Sequence, residues 1–83
     1  MQAQGIVQIT DELTLNNPVL SIAGVDYNWQ TDDVNVRFHF TEGIDGIFIH
    51  ERTFSFKNTT GGQLTATDIL NWMSTHPVLS QFK

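Results

Sequence analysis

One stretch constrains this chain more than any other. Val34, Val36, Phe38 and Phe40 alternate with Asn35, Arg37, His39 and Thr41. A strict period of two with one apolar phase is the signature of a half-buried β-strand. Gly43-Ile44-Asp45-Gly46 follows as a turn signal, and Ile47 to Lys57 then runs extended with Phe48, Phe54 and Phe56 in one phase. The two segments, 34–42 and 47–57, are expected to form a long β-hairpin.

Its register can be argued from side-chain pairing. Placing Phe40 opposite Phe48 sets Arg37 against Glu51 and Val34 against Phe54, an ion pair on one face and an apolar stack on the other. Placing Phe40 opposite Ile49 sets Phe38 against Glu51, a poorer match. The favoured register points His50 and Arg52 at the apolar face. Either a bulge re-aims them or they serve there.

Further short strands are expected ahead of this hairpin. Gly5–Thr10 holds Ile6, Val7 and Ile9; Leu13-Thr14-Leu15 is a brief extended piece; Asn16-Asn17-Pro18 is a turn signal. Val19–Ala23 reads as a strand, and Val25, Tyr27 and Trp29 alternate with polar residues in another, with Gly24 marking a bend or bulge between them. Thr31-Asp32-Asp33 reads as a turn. Past the Gly61-Gly62 loop, Thr65 and Asp68 have the spacing of a short-armed capping box. A helix over 66–75 follows, with Ala66, Ile69, Leu70 and Met73 facing the sheet and Pro77 enforcing its end.

The expected architecture is α+β: one small antiparallel β-sheet of four to five strands, a long central hairpin, and one C-terminal helix on the sheet's core face. Composition agrees. Thr, Val, Ile, Phe, Tyr and Trp number 32, against 14 for Ala, Leu, Glu and Lys. With 83 residues the chain is expected to form a single domain, 1–83, with a core near the lower limit for independent stability. Docking onto a partner would add to that stability by mass action.

Several function classes are disfavoured. Cysteine is absent, which removes disulfides, thiolate metal sites and thiol nucleophiles. Four basic residues in a chain of net charge −5 do not make a nucleic-acid-binding face. No apolar run is long enough to span a membrane, and the first residues, Met1-Gln2-Ala3-Gln4-Gly5, do not read as a secretory signal. The expected location is a virion, or the cytoplasm before assembly.

Catalytic and metal sites are expected to be absent, and no cofactor or small-molecule substrate is implied. Ser21, Ser55, Ser74 and Ser80 carry no nucleophile context. Glu42 and Asp45, like Asp26, Asp32 and Asp33, read as turn and surface residues, since the ladder of oxygen ligands that calcium needs is missing. His39 and His50 could approach a common metal with Glu51 or Glu42, but the favoured register points them to opposite faces. His76 suits a helix C-terminus.

What remains is contact. Neutral Thr, Gln, Asn and Ser number 26, twice the 13 charged residues. Such groups leave water at lower cost than charges do, and interface cores are likewise poor in charge. Tyr27, Trp29 and Trp72 are candidate anchors, and Val78, Leu79 and Phe82 form an apolar tail that needs cover, from its own chain or a neighbour's. An unpaired strand edge would add to the contact surface, with Lys57, Asp32 and Asp33 partly blunting it. The expected role is a non-enzymatic structural or assembly subunit in a homo-oligomer or larger assembly of protein partners, in the setting of a bacteriophage tail, baseplate or neck. The alternative is a small acidic inhibitor that binds a basic surface of a host protein; a third reading is a small His-based metal protein.

Overall fold

A computed structural model of the chain describes residues 1–42 and 48–83. Five strands run in order: β1 (Ile6–Thr10), β2 (Leu13–Asn16), β3 (Pro18–Asn28), β4 (Asp33–Glu42) and β5 (Phe48–Lys57). Helix α1 (Ala66–Thr75) and a 3-10 turn (Leu79–Gln81) complete the fold. The α+β class and the C-terminal helix are as expected. The single sheet is not: β1 and β2 form a two-stranded antiparallel sheet, and β3-β4-β5 form a separate three-stranded one.

Asn17 is the reason for the split. It sits between β2 and β3 with φ of 50°, a left-handed conformation that Asn tolerates. Its amide donates to the Gly5 carbonyl at 2.8 Å, and its Oδ1 accepts from the Gly5 amide at 2.7 Å. Gly5 has φ of 83°, which favours glycine. The chain therefore turns out of one sheet and into the next. The turn expected at residues 16–18 is present, and it also changes the sheet.

The two strands expected at Val19–Ala23 and from Val25 onward are one strand, β3, whose pairing with β4 shifts between Ile22 and Gly24. The bulge expected at Gly24 is therefore seen, and the terminal guanidinium of Arg37 lies across that glycine. The long hairpin is present as β4 and β5, but its register differs by two residues from the expected one. Val34 faces Phe56, Val36 faces Phe54, and Glu51 has His39 as its cross-strand partner, at 2.9 Å, rather than Arg37. Pairing shifts once, between Phe40 and Thr41. The turn expected at Gly43–Gly46 lies outside the described residues.

The alternation of β4 has the expected effect. Val34, Val36, Phe38 and Phe40 are fully buried. Phe54 and Phe56 join them from β5, Leu20 from β3, and Val7, Ile9 and Leu15 from the β1-β2 hairpin. His50 and Arg52 keep the inward phase, opposite Phe40 and Phe38. Arg52 donates to the Ile9 carbonyl and lies 4.5 Å from the Phe54 ring centre, so it ties the two sheets together.

Helix α1 starts at the expected cap. The Asp68 amide donates to Thr65 Oγ1 at 3.2 Å, and the Thr65 amide donates to Asp68 Oδ2 at 2.9 Å. Its buried line differs from expectation. Ile69 and Met73 are buried, but Leu70 is 50% exposed and Ala66 is exposed. Trp72 takes their place, stacked on Phe56 with ring centres 4.4 Å apart. The aromatic rings of β4 and β5 pull the helix toward its Trp72 flank.

The two ends of the described chain meet. Met1–Ala3 lies along the start of β3, with Leu20 N donating to Met1 O at 2.7 Å and Ala3 N to Pro18 O at 3.0 Å. Gln2 and Lys83 exchange two backbone hydrogen bonds, of 3.0 and 3.1 Å.

Candidate protein-contact surface

The connection between β3 and β4 is braced from several directions. Asn28 starts the turn: its Oδ1 accepts from the Gln30 amide at 3.0 Å, and its carbonyl from the Thr31 amide at 3.3 Å. Asp32 adopts φ of 60°, and its backbone carbonyl accepts from the Asn58 amide at 2.8 Å. The Tyr27 hydroxyl donates to Asp32 Oδ1 at 2.8 Å. Lys57 reaches across from β5 to the Thr31 carbonyl at 3.0 Å and to Asp33 at 2.7 Å. The Lys57 ammonium, and then the Thr31 hydroxyl, hold the Asp33 carboxyl below its ordinary value.

On this braced turn stands Trp29. Strand β3 ends at Asn28, so Trp29 does not continue the inward phase of Val25 and Tyr27; it is 74% exposed. A large rigid ring held in solvent by a preorganised turn is the kind of anchor that dominates binding energies. Asp26, Asp32 and Asp33 make its surroundings acidic, with Lys57 the one cation paired there.

The edge of β3 continues from this turn. Among the described residues it has a second neighbour only at Pro18–Leu20, where Met1–Ala3 lies. Beyond Leu20 the edge is open, and Ile22 and Val25 are 44% and 40% exposed. The far edge, β5, differs: it turns His50 and Arg52 inward, a device that discourages strand addition.

The other expected contact residues lie elsewhere. Tyr27 is half-buried and serves the turn. Trp72 is half-buried in the aromatic cluster, 6.3 Å from the Phe38 ring. Leu79 and Phe82 are buried in the chain's own core, Phe82 against Phe40 at 5.8 Å, and Val78 is half-buried beside them. The apolar tail thus finds its cover within the chain. Sequence reasoning missed Leu70 and Ile22 as exposed apolar groups, because both fall in phases that point at the core.

His39 and His50 lie on opposite faces of the three-stranded sheet, and among the described residues no three His, Asp or Glu side chains gather as metal ligands. The hydroxyls of Ser55 and Ser74 bond Asn35 Oδ1 and the Asn71 carbonyl. An open groove of about 390 Å³ runs between the end of β5 and α1, past Phe56, Asn58, Asp68 and Trp72. Its buried polar group, Asn58, is fully engaged with Tyr27, Thr60 and Gly62. Among the described residues no helix is long and apolar enough to cross a membrane.

The chain matches no protein-family model, no curated protein and no solved structure.

Proposed function

We propose that this protein works through protein–protein contacts, as a non-enzymatic subunit of a larger assembly. The observation that carries the proposal is Trp29, exposed on a turn that six hydrogen bonds and one ion pair hold in place. Holding an indole in water costs hydrophobic free energy that a partner's pocket would recover. The open edge of β3 beside it, with Ile22 and Val25, enlarges the surface that a partner can cover. The narrower setting, a small virion component of a bacteriophage tail, baseplate or neck, rests on composition alone: neutral polar groups outnumber charges two to one.

Photo-crosslinking groups placed at Trp29, Val25 and Thr53 test this in the native source. Thr53 is exposed on the opposite face of the sheet. Specific cross-linked species from the first two positions, and not from Thr53, are expected. Their absence, with the chain running as a monomer in its native extract, would sink the proposal.

The acidic character of the Trp29 turn favours a second reading, an inhibitor that caps a basic surface on a host protein. Salt separates the two. A contact driven by Asp26, Asp32 and Asp33 weakens steeply as ionic strength rises, and one carried by Trp29 and the β3 edge does not.

A further inference from the structure

The open edge of β3 carries two opposite charges close together. Gly24 pairs with Arg37 of β4. Because position 24 has no side chain, the Arg37 guanidinium lies over it and so reaches the outermost strand. Two residues on, Asp26 pairs with Asn35, which places its carboxylate on the same face of the sheet as Arg37. Both residues are exposed, and neither forms an ion pair among the described residues. On the opposite face of the same edge stand Ile22 and Val25, exposed although they pair with the buried Phe38 and Val36.

These charges are self-complementary in one register. Met1–Ala3 covers the edge only as far as Leu20, and Val25 is the middle of the segment Ile22–Asn28 that follows. Let a second copy add its own β3, antiparallel, about a two-fold axis at Val25. Val25 then faces Val25, and Gly24 of each copy faces Asp26 of the other. Residues directly opposite in an antiparallel pair project from one face, with Cβ atoms about 5 Å apart. Each Asp26 carboxylate therefore arrives beside the other copy's Arg37 guanidinium. The neighbouring registers that keep the faces matched do the reverse. A slide one way sets Asp26 against Asp26, and a slide the other way sets Gly24 against Gly24 and brings the two Arg37 cations together.

We propose that two copies of this chain join edge to edge through β3, antiparallel and centred on Val25, with reciprocal Arg37–Asp26 ion pairs. Each copy gives its three strands to one continuous sheet. This rests on the contact role proposed above and names the partner as a second copy. The contact is isologous, so it closes at a dimer. It satisfies the unpaired backbone groups of an open edge and covers Val25 with its own counterpart. It also carries each Trp29 alongside the Ser21–Ile22 end of the other β3, where Ile22 is exposed. So short a ladder buries less than a standard interface, and a dissociation constant on the order of 10 μM is expected.

The test is sedimentation of the purified chain, up to about 1 mM, with two charge reversals at exposed positions, Asp26→Arg and Arg37→Glu. Thermal unfolding checks that each variant is folded. Wild-type chain is expected to form a dimer that grows no further. Each reversal alone brings like charges together at both ends of the ladder, and is expected to weaken the dimer at least about 10-fold. Mixed in equal amounts, the two variants pair Arg37 with Asp26 at one end and their two introduced charges at the other. The mixture is therefore expected to form a heterodimer of near wild-type strength. In this cysteine-free chain, Val25→Cys should give dimers with a short thiol-to-thiol cross-linker, and Thr53→Cys, exposed on β5, should not. Wild-type chain that stays monomeric at the highest concentration overturns the proposal and leaves the contact role standing for a different partner. A dimer that both reversals leave unchanged overturns it. So does a mixture that forms no heterodimer, or equal cross-linking from Val25→Cys and Thr53→Cys.

Discussion

The Asn58 side-chain amide lies 3.1 Å from the Tyr27 hydroxyl and donates to it. Asn58 is the one buried polar residue among those described, at 7% exposure. Through this contact the loop after β5 is fastened to the end of β3. The same amide donates to the Gly62 carbonyl, and its Oδ1 accepts from the Thr60 amide and hydroxyl. The Tyr27 hydroxyl passes the connection on to Asp32.

Asn58→Ala therefore leaves buried donors and acceptors unmet. A loss of about 1–3 kcal/mol is expected from urea unfolding. Tyr27→Phe, which keeps the ring and removes the hydroxyl, should cost about 1 kcal/mol. The two changes share one hydrogen bond, so the double variant should lose less than the sum of the single losses. Strict additivity would show that the network is not coupled.

The two tryptophans should respond in opposite ways. Trp72 stacks on Phe56 and lies against Phe38, and its removal opens the space between α1 and the sheet. Trp72→Ala is expected to cost about 2–4 kcal/mol, discounted from a fully buried ring because Trp72 is half-exposed. Trp29→Ala removes a ring that stands in solvent, so stability should change by no more than about 0.5 kcal/mol. Equal losses in chemical denaturation would mean that Trp29 packs against the chain after all.

The cap of α1 has a local, separable value. Thr65→Ala removes the acceptor for the Asp68 amide, and Asp68→Ala removes the acceptor for the Thr65 amide. Each is expected to cost about 1 kcal/mol. Thr65→Ser keeps the hydroxyl and should stay close to wild type in the same unfolding measurement.

What the sequence revealed and what it hid follow the range of the forces involved. The capping box needs residues three apart and was fully legible. The alternation in β4 was legible because one sheet face is buried and the other is wet. The register was not. Pairing Val34 with Phe54 or with Phe56 buries the same side chains, since a shift of two keeps every residue on its face. Both registers also offer Glu51 a basic partner, Arg37 in one and His39 in the other. The choice depends on the shift between Phe40 and Thr41, which no hydrophobic pattern records. Leu70 and Trp72 flank the Ile69/Met73 line on opposite sides, so helical periodicity alone could not choose between them. The rings of Phe38 and Phe56 did, and those come from distant parts of the chain. Of the contact surface, Trp29 was visible as a candidate. Its exposure depends on β3 ending one residue earlier than the alternation of Val25 and Tyr27 suggests.

His76 gives the fold a dependence on pH. Its Nδ1 accepts from the Val78 amide at 3.1 Å and the Leu79 amide at 3.3 Å, which only an unprotonated nitrogen can do. The ring packs edge-on against Phe54 at 4.5 Å. Burial in this setting, with the Arg52 guanidinium nearby, pushes the His76 pKa below its ordinary 6.5. The unfolded chain then holds more protons than the folded one between those two values. Stability is full above about pH 6.5 and is lost as pH falls through the folded value. Asp33 acts with the same sign further down, since its folded value lies below the ordinary 3.8. A titration of the imidazole Cε1–H resonances should place the His76 midpoint below that of a free histidine. Urea midpoints should fall between about pH 7.5 and pH 5.5, and His76→Gln should flatten that fall. A His76 midpoint at or above 6.5 would mean that its Nδ1 does not hold the start of the 3-10 turn.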